Sequence, residues 1–304
     1  AVRESSVRAP VGGSGLNIPA SNSEVVRANS IITESMTTFP EVHPLNASPE
    51  IAAIYADIRA VSGLAMVNLI WRHFATLPNI LEWAWKGVRP IVGSQELVEA
   101  RKRLVQAIEL PTLPHVTAEA WRTAGLNNTE LTTFRDMMAD YVRGNSTNII
   151  VLTALRLRLE GINHDTPAVS ATLAPAALTP SPPLPRIETL DPGLASAIRA
   201  LAQRHEGAQG GIIPSLYLEL VRWPALTDTF PRWLESLYEP SAMRRAREST
   251  CRAAEREALT LLPELEPTPT NVAEMRPALE RFTRLIIPDL TPVCVAVQRL
   301  LPAR

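Results

Sequence analysis

Ile51-Ala52-Ala53-Ile54-Tyr55-Ala56-Asp57-Ile58 places apolar side chains at i, i+3, i+4 and i+7. That spacing lays one stripe along a 3.6-residue period, so it predicts an amphipathic helix against a core. The period returns at Leu97, Arg101, Leu104, Val105 and Ile108, behind Ser94 as a candidate N-cap. Residues 131–141 and 148–159 read as two more helices, broken at Gly144, with Asn145 opening the second. Asn271-Val272-Ala273-Glu274 has the form of a capping box, and Pro277 restricts the backbone beyond it. Glycine numbers only 13 in 304 residues. No Val/Ile run closed by glycine turns, as a parallel sheet needs, occurs at any length. The expected fold class is all-α.

Outward from these helices, the chain divides. Residues 1–48 are rich in Ser, Asn, Pro and Val without a period, and read as an extended N-terminal arm. Residues 161–192 carry seven prolines, which stop helices and favour a stiff extended linker. The linker separates 49–160 from 193–304, which read as one helical unit written twice, packed as a single two-repeat body. Asp57-Ile58-Arg59-Ala60-Val61 answers to Ala197-Ile198-Arg199-Ala200-Leu201. Leu77-Pro78 precedes Trp85 as Trp223-Pro224 precedes Trp233. A pseudo-symmetric pair of this kind is expected to hold a small-molecule pocket at its interface.

Composition narrows the function. Apolar residues make up 46% and charged residues 20%, enough for a real core. Lys plus Arg number 30 against 31 Asp plus Glu, a formal charge of −1, so a nucleic-acid partner is not expected. No uninterrupted apolar stretch approaches the roughly 18 residues of a membrane helix, so no membrane role is expected. Residues 1–30 carry no apolar run behind a basic patch, which leads to an expected cytoplasmic location. Cys251, Cys294 and five scattered histidines give neither a disulfide framework nor metal-ligand spacing, and both thiols read as buried and inert. Gly12-Gly13-Ser14-Gly15 follows no strand and makes neither a phosphate loop nor a nucleophile elbow. No cofactor is expected. Nothing marks an interface, and a homodimer stays open.

From about residue 50 to 300 the chain resembles the group I (DehI-like) 2-haloacid dehalogenases, which act on D- or on both enantiomers of 2-haloacids. The resemblance rests on Ile54-Tyr55-Ala56-Asp57-Ile58-Arg59, on Ala75-Thr76-Leu77-Pro78 with Trp85, and on Arg143-Gly144-Asn145 leading into Ile149–Leu155. In the second half it rests on Pro214-Ser215 and Trp223-Pro224. It implies an all-α fold of two pseudo-repeats joined by a long linker. In that family an aspartate, after a serine and seven residues before the Trp-Pro pair, activates a water that displaces halide directly. Here that position is Leu216, after Ser215, and no Asp occurs between Asp191 and Asp228. The family's Gly-Asn-Pro asparagine, which helps hold the water, corresponds to Asn145, with Ser146 in place of the proline. Met66 and Leu69 stand where the family pocket has a tryptophan and a second aromatic.

Leucine takes no proton, and loss of a general base costs roughly 10²–10⁴-fold. Three readings are compatible with that loss. In the first, adopted from the sequence, the pocket has given up hydrolysis and guides a cyclisation, pericyclic step or isomerisation of an apolar substrate bearing a carbonyl or carboxylate. Asn145, Tyr217 and Arg72 would be its catalytic donors, and Met66, Leu69, Ser215, Leu216 and Glu219 its lining. In the second, the chain is a hydrolytic dehalogenase using a substitute acid: Glu219, one turn beyond Leu216, or Glu206. In the third it binds a ligand without catalysis. Each residue also has a plain role: Asn145 as an N-cap, Tyr217 as a core aromatic, Arg72, Glu206 and Glu219 as solvated surface charges.

Overall fold

The computed structural model describes residues 39–163, 184–208, 211–265 and 267–303. The expectations for residues 1–38, including Gly12–Gly15, and for residues 164–183 of the linker lie outside them. Among the described residues the chain is all-α, with no strand. The stripe of Ile51–Ile58 lies in α1 (Pro49–Ser62), where Ser48 caps the first turn and Tyr55 and Ile58 are buried. α2 (Leu69–Phe74), α3 (Ile80–Val92), α4 (Gln95–Ala107), α5 (Ala118–Thr123) and α6 (Asn128–Leu159) come next along the chain. Ser94 caps α4 as expected, its Oγ accepting from the Leu97 amide at 3.1 Å. The second half holds α7 (Pro192–Ala202), α8 (Ser215–Glu219), α9 (Ala225–Trp233), α10 (Glu235–Tyr238), α11 (Pro240–Ala258), α12 (Arg276–Arg281) and α13 (Ile287–Leu300).

α6 is the central helix, packed against α3, α4, α11 and α13. Its buried run Ile149–Leu155 and the α13 run Val293–Val297 contribute to one apolar core. Asp57 ties α1 to α3, accepting from Trp85 Nε1 at 2.7 Å and from Arg89 at 2.6 and 2.8 Å. The end of the expected arm is seated on the body. Phe39 packs against the His73 and Phe282 rings, and Tyr55 donates its hydroxyl hydrogen to the Val42 carbonyl at 2.9 Å. No described helix is long and apolar enough to cross a membrane.

Two local expectations are corrected. Gly144 does not break a helix: α6 runs through it for 32 residues. The Leu64 side chain fills the space beside Gly144, 3.1 Å from where a Cβ would stand, and burial on both flanks outweighs glycine's weak helix propensity. The start of this helix is fixed instead by a capping box of Asn127 and Glu130. The capping box read at Asn271 does not form: Asn271 sits at φ −94°, ψ 14° rather than in the extended conformation of an N-cap and makes no side-chain cap bond, while its Nδ2 donates to the Pro78 carbonyl at 3.3 Å. A 3₁₀ turn (Val272–Met275) comes next, and Pro277 sits in the first turn of α12, where its missing N–H leaves no bond unmade.

Candidate functional site

The short helix α8 follows Pro214 and ends in a 3₁₀ turn, Leu220–Arg222. Its single turn sets Ser215 and Glu219 at i and i+4, so they share a face. Tyr141 of α6 interacts with both Ser215 and Glu219, and Asn145 stands one turn beyond Tyr141 on the same helix face. Asn145 therefore lies inside a helix and does not open one, which removes its role as an N-cap. Its amide Nδ2 donates to Cys294 Sγ of α13 at 3.4 Å, and it is 5% exposed. α6, α8 and α13 thus meet around Tyr141, Asn145, Ser215, Glu219 and Cys294.

Glu219 is 3% exposed, which corrects its reading as a solvated surface acid. Its Oε2 pairs with Arg222 Nη2 at 3.0 Å but has no well-aligned hydrogen bond. Burial raises the carboxyl above its usual range, and the Arg222 charge partly offsets this. The buried Tyr141 hydroxyl lies near Ser215, Glu219, Cys294 and Arg222, and it too lacks a well-formed hydrogen bond. Burial, followed by the nearby Glu219 charge, holds this phenol well above its ordinary range. A buried carboxylate paired only with Arg222 and a buried phenol without a well-formed hydrogen bond therefore lie within electrostatic range of one another.

The other expected residues are placed differently. Leu216 and Tyr217 have no exposure at all. The Tyr217 hydroxyl is engaged internally, 2.5 Å from His205 Nε2 and 3.3 Å from the Tyr238 hydroxyl, and is not free as a donor to a substrate. His205 is itself buried, and desolvation pushes it down to about 4. Arg72 pairs with Glu41 at 2.8 Å, which joins it to the Phe39–Ser48 segment. Met66 and Leu69 are half-buried, Leu69 against the core. Glu206 is exposed and paired with Arg247 at 2.5 Å. Clefts of about 480 and 450 Å³ open elsewhere, beside Leu131 and Arg135 and beside His115 and Arg299. The open apolar pocket expected between the halves is not at Leu216 and Tyr217, whose surroundings are closely packed.

Tyr141, His205, Tyr238 and Cys294 were not singled out as site residues by the sequence. Tyr141 stands one turn before Asn145, a relation hidden by placing a helix break at Gly144. Nothing local signals that His205 and Tyr238 meet Tyr217.

No protein-family profile and no curated protein matches the sequence. The fold, however, is that of solved D-2-haloacid dehalogenases. One, in complex with L-lactate, superposes with a TM-score of 0.75 at 17% identity, covering 88% of this chain and 97% of that one. A mutant D-2-haloacid dehalogenase gives 0.75 at 16% identity, and a mutant holding D-2-chloropropionate gives 0.71 at 16%, with the same coverage. Both ligands named with these proteins are small carboxylic acids. Identity at this level establishes the shared fold, and no finding supports a cyclase or isomerase.

Proposed function

We propose that the chain handles a small 2-substituted carboxylic acid by hydrolytic displacement, with Glu219 as the base in place of the aspartate the family carries at position 216. The carrying observation is the buried Glu219 carboxylate beside Tyr141 and Ser215, with Oε2 incompletely satisfied. Glu219 takes a proton from a water whose oxygen attacks C2, the carbon–halogen bond breaks, and halide leaves. The products are a 2-hydroxy acid and a halide ion. A carboxyl raised by burial is a stronger base than a solvated one, while Arg222 keeps the charged form accessible. Ser215 and the Tyr141 hydroxyl would serve as donors to the reacting water, and Asn145 is anchored on Cys294. The small acids bound by the fold's relatives suit this closely packed site better than a large apolar substrate does.

The test is release of chloride and 2-hydroxypropionate from each enantiomer of 2-chloropropionate by the full chain. Turnover of either supports the reading. One further observation favours a binding protein without catalysis: fully buried Leu216 where a base would stand. Saturable binding of 2-chloropropionate with no chloride release selects that reading.

A further inference from the structure

On another face of α6, Arg101 reaches across from α4. Its Nη1 donates to Thr147 Oγ1 at 3.2 Å, and Thr147 is 3% exposed. Arg143 stands one turn before Thr147 on the same face. It donates to Asp140 Oδ1 at 2.7 Å and to the carbonyl of Gly63, the left-handed C-cap of α1, at 2.5 Å. Two residues separate Arg143 from Asn145, a rotation of about 200°, so this face points away from the Glu219 site.

Arg101 is half-buried, and no carboxylate pairs with it among the described residues. Burial, followed by the neighbouring Arg143 charge, holds its guanidinium below the usual range. The Arg143 Nε is buried without a hydrogen-bond partner. Arg101, Arg143 and Asp140 together sum to one positive charge. A desolvated cation next to a like charge, with a single hydroxyl for a partner, is unfavourable unless an anion completes it.

We propose that Arg101, Arg143 and Thr147 form a binding site for a small carboxylate monoanion, separate from the Glu219 site. A planar carboxylate matches the guanidinium fork, and one negative charge balances the cluster, whereas a phosphate dianion would leave an excess. The proposal does not depend on the proposed hydrolytic activity.

The experiment titrates the full-length chain with acetate, replacing chloride at constant ionic strength, and follows calorimetric binding and the thermal midpoint. The wild type is expected to bind acetate saturably and to gain stability with occupancy. Arg101→Gln is expected to lower acetate affinity by at least about tenfold. It is also expected to melt no lower than wild type without acetate, since an unpaired charge has been removed. Thr147→Val, which keeps both charges, should weaken acetate binding by a smaller factor. No saturable binding in wild type overturns the site, as does an unchanged acetate response in Arg101→Gln. Acetate binding lost in Glu219→Gln but retained in Arg101→Gln also overturns it, and locates the anion at the other site.

Discussion

Asn145 of α6 donates its side-chain amide to the sulfur of Cys294 in α13, at 3.4 Å, where both residues are buried. This contact joins the central helix of the first half to the last helix of the second, one turn along α6 from Tyr141 on the same face. It also explains why Asn145 tolerates burial: its amide has a partner, although a weak one.

Burial pushes the Cys294 thiol up to about 12 and the Cys251 thiol up to about 11, the first moderated by Asn145. At pH 8 the thiolate fractions are then about one in ten thousand and one in a thousand. Iodoacetamide should therefore leave both cysteines unmodified in the folded protein and alkylate both in guanidinium. Intact-mass spectrometry reads the difference, and rapid native alkylation of Cys294 would show that its environment is open.

His205 supplies a pH-dependent contribution to stability. Its folded value is about 4 against an ordinary 6.5, lowered by burial against Tyr217 and Tyr238. Protonation therefore favours the unfolded chain: the stabilisation is complete above 6.5 and is lost as pH falls toward 4. The full effect is roughly 3 kcal/mol. Denaturant melts of wild type and His205→Gln from pH 7 to 4 should show a flatter curve for the variant by about that amount. Parallel curves would mean that His205 titrates like an exposed histidine.

Two glycines separate backbone constraint from side-chain accommodation. A Cβ on Gly207 would stand 2.7 Å from the Ile286 Cα and N, where a π-helical segment, Phe282–Ile286, presses on it. Backbone cannot swing aside, so Gly207→Ala should cost about 1–3 kcal/mol or more. At Gly144 the nearest atom is the Leu64 side-chain methyl at 3.1 Å, which can turn. There the gain of about 0.5–1 kcal/mol in helix propensity offsets the crowding, and Gly144→Ala should stay within about 1 kcal/mol of wild type. Thermal midpoints of the two variants give the comparison.

Much of the fold was legible because it depends on short-range pattern. The stripe in Ile51–Ile58 and the cap at Ser94 both formed as the period requires. The features that were not legible depend on partners distant in the chain. Gly144 reads as a break until Leu64 is seen to pack against it. Glu219 reads as a solvated acid, although Arg222 three residues on offered the pair that accompanies its burial. Tyr217 reads as a free donor until His205 and Tyr238 are placed around its hydroxyl. Arg72 reads as a surface charge or a donor, and its pairing with Glu41, 31 residues away in the chain, leaves no local sign. The Asn127–Glu130 capping box has the same spacing as the motif at Asn271, and only the first is followed by a long α-helix that uses it.

If Glu219 is the base of a hydrolytic site, its removal must abolish turnover without unfolding the chain. Chloride release from D- and L-2-chloropropionate should be measured across pH for wild type, Glu219→Gln and Leu216→Asp side by side. Wild-type turnover is expected to rise with pH as the raised Glu219 carboxyl ionises. Glu219→Gln is expected to lose roughly 10²–10⁴-fold with the protein still folded. Leu216→Asp should retain or regain chloride release if position 216 faces the same water. Turnover by wild type that Glu219→Gln leaves unchanged would contradict the assignment, as would a wild type that releases no chloride from either enantiomer.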